Sequence, residues 1–95
     1  MNGARGEARV RLAGEERTLC LTLGALAEIE TALGVEGLRG LADRMRRLSA
    51  RDLTAVLTAL LRGGGETALA GDLVVAIDPR EAAEAVAMAF TAAAE

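Results

Sequence analysis

Residues 22–34, Thr-Leu-Gly-Ala-Leu-Ala-Glu-Ile-Glu-Thr-Ala-Leu-Gly, carry a helix start, an apolar stripe and a helix stop in one short stretch. Thr22 is placed to be the N-cap, its hydroxyl accepting from a first-turn backbone N–H that has no helical partner. Leu26, Ile29 and Leu33 recur at helical spacing and make one apolar face, while Glu28 and Thr31 turn to solvent. Gly34 follows the last periodic residue, where a left-handed backbone costs glycine nothing. A strand-like segment enters this helix and helical patterns follow it, so it is the hub around which a small core must form.

Upstream, residues 1–6 are small, polar and glycine-rich, and read as a flexible tail. Then Ala8, Val10 and Leu12 alternate with Glu7, Arg9 and Arg11, the period of a half-buried strand. After Gly14-Glu15 a second run puts Leu19 and Leu21 on one face and Thr18, Cys20 and Thr22 on the other. A two-residue loop with glycine first suits a type II′ hairpin turn, which pairs Val10 with Leu19 and Ala8 with Leu21. A lone two-stranded hairpin is not stable in water, so it must lie on the helix that starts after Thr22.

Downstream, Leu38, Leu41, Ala42, Met45 and Leu48 form a second helical stripe, with Arg39, Arg44, Arg46 and Arg47 on the opposite face. Ser49 followed three residues later by Asp52 is a capping-box-like start, Asp standing where Glu or Gln is usual. Leu53, Val56, Leu57, Leu60 and Leu61 keep step behind it, and the run Gly63, Gly64, Gly65 stops that helix. Leu73-Val74-Val75-Ala76-Ile77 has strand propensity but equally suits a short buried helix. Its position between helical segments, without an obvious strand partner, favours the helix. Asp78, Pro79 and Glu81 are an N-cap, a first-turn proline and an N3 acid, opening a last helix that reaches about Ala93. Val86 and Phe90 are its bulky members.

The chain has 95 residues, enough for one domain with one modest core, and we read residues 1–95 as that domain. It is 52% hydrophobic but 1% aromatic, so the core must come from Leu, Val, Ile and Ala. Such a core lacks the large areas that aromatics bury, which implies marginal stability alone, or support from self-association or a partner. The net charge of −3 argues against a nucleic-acid footprint. The single Cys20 excludes an intrachain disulfide and suits a reducing compartment. With no apolar leader and no run of spanning length, the expected product is a soluble cytoplasmic protein with no membrane partner.

Residues that do chemistry are scarce. There is no His, Lys, Tyr or Trp, and the sole serine, Ser49, is used as a cap. Cys20 has no histidine to activate it. Glu28 and Glu30 stand two apart on a helix and do not share a face. One Cys and no His give no metal-ligand spacing. The three glycines lack the Gly-Lys-Ser/Thr ending of a phosphate loop and do not follow a strand. The expectation is a non-enzyme with no catalytic residue, no cofactor and no metal. Arg39, Arg44, Arg46, Arg47 and Arg51 form the one basic cluster, read as a solvated face balanced by nearby acids.

The segment Arg5-Gly6-Glu7 leading into a short strand, then residues 21–30, Leu-Thr-Leu-Gly-Ala-Leu-Ala-Glu-Ile-Glu, then Leu33-Gly34, resembles a small phage-derived family. Its members sit in the tail gene clusters of gene transfer agents and related prophages. They are described as tail assembly chaperones and also labelled tail tube proteins. Ser49-Ala50-Arg51-Asp52-Leu53, Leu60-Leu61-Arg62 with its glycines, and the Asp78-Pro79 helix fit the same outline, so the resemblance spans nearly the whole chain. It implies a protein that acts by binding: a chaperone holding the helical tape-measure protein soluble until tube subunits polymerise around it, with the tape-measure or tail tube protein as partner. The partner contact it suggests is the last helix and the segment before it, Val74, Met88 and Phe90, with Arg44 and Arg47 as a polar rim, in the helix-in-groove mode. The rival readings are a structural component of the tail and, more remotely, a small regulatory module binding nucleic acid through the Arg face. The expected architecture is α+β, an N-terminal β-hairpin packed on a small bundle of about four helices.

Overall fold

The computed structural model describes residues 6–66 and 76–94, and among these it places a two-stranded antiparallel hairpin before four helices. The strands are β1 (Glu7–Leu12) and β2 (Glu15–Cys20); the helices are α1 (Leu23–Leu33), α2 (Gly37–Met45), α3 (Ala50–Gly63) and α4 (Pro79–Ala94). The α+β expectation therefore holds. The tail at residues 1–5 and most of the 73–77 segment lie outside the described residues.

The hairpin forms with a different turn from the one that Gly14-Glu15 suggested. The loop is Ala13-Gly14, with φ of 54° and 85°, the double left-handed pattern of a type I′ turn. Leu12 closes on Glu15, so Val10 faces Arg17 and Ala8 faces Leu19. The turn moves by one residue and the pairing by two. Because side chains alternate with period two, every residue keeps its expected face. The left-handed Ala13 costs about 1 kcal/mol, and its N–H donates to the Glu81 carboxylate of α4 at 3.3 Å. Ending β2 at Cys20 also frees Leu21 and Thr22 from the ladder, and Thr22 becomes the N-cap of α1, accepting from Ala25 N–H at 3.0 Å.

Ala8, Val10, Leu12 and Leu19 bury on the hairpin's helix-facing side, but the hairpin does not lie on α1 as the chain order suggested: β2 packs on the Val56 to Leu61 face of α3 and β1 on Ala82, Ala85, Val86 and Ala89 of α4, while Ala25, Ile29 and Leu33 of α1 reach the same core through α3. Leucine, valine, isoleucine and alanine make this core, and Phe90 is only half-buried at its margin. Gly34, at φ 71°, ends α1 with its N–H donating to the Glu30 carbonyl. Ser49 and Asp52 form the full capping box of α3.

The three glycines at the end of α3, Gly63 to Gly65, do more than stop a helix. A Cβ on Gly63 would drive into the carbonyl oxygen of Cys20, and one on Gly64 into that of Thr18. The end of α3 thus lies directly against the outer edge of β2, and only glycine allows that approach. Glu66 completes the seal by accepting from Thr18 N–H at 2.9 Å.

The second helix departs most from the sequence pattern. It ends at Met45, so Leu48 packs on the core from outside it. Of the stripe read there, only Leu41 is fully buried, while Leu38 is 65% exposed. Glu30 accepts from Gly37 N–H at 2.7 Å and caps α2 in place of its own N-cap residue, Glu36, whose side chain makes no capping bond.

Candidate functional site

The amphipathic face of α2 does not close onto the core. It forms one wall of an apolar groove of about 420 Å³ whose other walls are the start of α1 and the end of α4. Leu23, Leu26, Leu38, Leu41, Met45 and Phe90 line it. Leu23 is 83% exposed and Leu38 65%, so the lips of the groove are two leucines standing in water. Leu23 is there because Thr22 must cap α1, which places the next residue on the first turn, outside the buried positions 25, 29 and 33. Leu38 is there because the short loop after Gly34 lets only one turn of α2, at Leu41, reach the core.

No titratable side chain lines this groove among the described residues, and its one hydroxyl, Thr22, is engaged as a cap. It offers burial of apolar surface and nothing else. Covering both leucines contributes about 3 kcal/mol to whatever binds there.

The residues marked from sequence as a partner surface are not gathered in one place. Phe90 lies in the groove, half-buried. Met88, 51% exposed, points to a different flank of α4, beside β1. Val74 falls outside the described residues. Arg44 is committed inside the fold: its guanidinium grips Asp52 through two nitrogens at 3.0 and 3.1 Å and donates to the Leu33 carbonyl at 2.9 Å. It joins the end of α1 to the start of α3. Arg47 pairs with Asp43 at 3.3 Å on an exposed helical turn, a contact of little energy. Arg62 of α3 pairs with Glu28 of α1.

Among the described residues two groups have shifted protonation equilibria. The backbone N–H of Ser49, helped by the hydrogen bond and charge of Arg44, holds the Asp52 carboxyl below its ordinary range despite partial desolvation. Burial, and secondarily the charge of Glu7, pushes the Cys20 thiol up, which disfavours the reactive thiolate. The groove residues that sequence reasoning placed in the core, Leu26, Leu38 and Met45, carried one usable signal: α2 is too short and too polar on its other sides to be held by a complete apolar stripe.

Among the described residues no helix is long and apolar enough to cross a membrane. Compared with known proteins, residues 5–94 match the family model described as "Phage tail tube protein, GTA-gp10". No curated protein and no solved structure matches the chain.

Proposed function

The chain belongs to the phage tail tube protein family described as GTA-gp10, and from that membership we propose that it is a non-enzymatic structural component of a phage-like tail, in the tube or attached to it. The observation that carries this reading is the extent of the match, which takes in the hairpin and the four described helices. The apolar groove supports the mode of action, contact with another tail protein through Leu23, Leu38 and Phe90. Assembly in the host cytoplasm, with no nucleic acid and no cofactor bound, completes the proposal.

A second reading, a transient assembly chaperone for the tape-measure protein, draws on the same groove, because an open apolar trough suits one face of a partner helix. The two differ in what remains at the end. Purified particles, analysed by quantitative mass spectrometry, should contain this chain in fixed ratio to the major tail protein if it is structural. Its absence from complete particles, together with failed tail assembly when it is deleted, would replace the structural reading with the chaperone.

A further inference from the structure

The arginines on and just after α2 do not share one fate. Arg44 is held inside the fold by Asp52 and the Leu33 carbonyl, and Arg47 pairs with Asp43. Arg39 and Arg46 are both exposed, and among the described residues neither side chain has an ion pair or a hydrogen bond. Arg46, at φ −76° and ψ −14°, continues the helical course past Met45, so it shares a face with Arg39 two turns away, a rise of about 10 Å. A rotation of about 100° per residue carries the surface of α2 from buried Leu41 through half-buried Met45 to exposed Leu38 and Ala42, and next to Arg46 and Arg39. The two guanidinium groups therefore edge the apolar groove on its solvent side, beyond the lip made by Leu38. The neighbouring acids do not neutralise that edge. Asp43 is engaged by Arg47, Glu28 by Arg62 and Glu30 by Gly37 N–H, while Glu36 precedes the first turn of α2.

An apolar trough with one basic edge is complementary to an amphipathic helix whose apolar stripe has an acidic edge. Resting on the reading of this groove as the contact with another tail protein, we propose that its occupant is such a helix of a partner protein, with carboxylates two turns apart that meet Arg39 and Arg46. The leucine lips and Phe90 bury the apolar stripe and supply the affinity. The arginines select the partner by charge and fix its register, their aliphatic stems extending the apolar wall beside Leu38.

The test uses the purified full chain and two labelled synthetic helical peptides with the same leucine stripe, read by fluorescence anisotropy. One carries glutamate on both flanks of the stripe, so that either direction of binding presents an acid to the basic edge, and the other carries lysine there. The glutamate peptide should bind at least about tenfold more tightly at low salt, and the preference should shrink as salt is raised. Arg39→Glu with Arg46→Glu should reverse the order, and Arg39→Gln with Arg46→Gln, which leaves the end of α2 without an added negative charge, should abolish it. Leu23→Ser with Leu38→Ser should weaken both peptides at least about tenfold. Thermal unfolding checks that each variant is folded. Equal binding of the two peptides, binding of neither, or an order unchanged by the arginine variants overturns the proposal. A wild type that dimerises in light scattering, and is monomeric with Leu23→Ser and Leu38→Ser, gives the groove to a second copy and also overturns it. The tail role is judged separately: a chain present in particles at fixed ratio that ignores peptide charge loses this inference alone, whereas one absent from particles that selects the glutamate peptide retains it.

Discussion

Ser49, Asp52 and Arg44 show how single side chains hold this small molecule together. Ser49 satisfies a first-turn N–H of α3, and its replacement by alanine should cost about 1 kcal/mol, read as a fall of about 5 °C in melting temperature. Asp52 returns the bond to Ser49 N–H and anchors Arg44. Its carboxyl binds a proton less tightly when folded than when unfolded. Its stabilisation is therefore present above the unfolded pKa of about 3.9 and lost as pH falls through the lower folded value. Denaturant melts at about pH 6 and about pH 2 should show a larger acid loss for the wild type than for Asp52→Asn. The Thr22, Ser49 and Asp78 caps and the Gly34 stop were legible because each is a local pattern within four residues. The role of Arg44 was not, because it joins Leu33 to Asp52 across three helices and no short spacing encodes that.

At the scale of elements, the glycines that close α3 separate two reasons for using glycine. Gly65 has a left-handed backbone with open space where a Cβ would point, so Gly65→Ala should cost about 1 kcal/mol. Gly63→Ala and Gly64→Ala push a methyl group into strand backbone and should each cost about 3 kcal/mol, with β2 protection lost in hydrogen exchange. Equal penalties at all three positions would contradict the close approach. Sequence reading identified the stop but not the contact, which depends on where β2 lies. The hairpin was legible in its faces and not in its register. Ala13-Gly14 lacks the Asn-Gly signature of a type I′ turn, and what holds Ala13 left-handed comes from Glu81, distant in the chain. The stripe of α2 was legible as amphipathic, yet periodicity does not say whether a face meets the core or opens on a groove.

For the whole molecule, the core of aliphatic residues and the unfilled groove go together: the fold leaves apolar surface exposed at Leu23 and Leu38. The α+β architecture could be read from the order of patterns, and the family from the same order of residues. The groove could not, since it is built from the start of α1, the face of α2 and the end of α4. Because both leucines are exposed, Leu23→Glu with Leu38→Glu should leave the melting temperature of the free chain within about 3 °C of wild type, the small effect expected of surface positions. The most direct measurement is co-expression of the tagged chain, wild type and this double variant, with the tail tube and tape-measure proteins of its gene cluster, followed by identification of what is captured. The account predicts that the wild type brings down a tail protein and that the double variant, still folded, brings down little or none. Capture that is equal for the two chains would contradict the groove as the contact, and a folded wild type that captures neither protein would contradict the tail role itself.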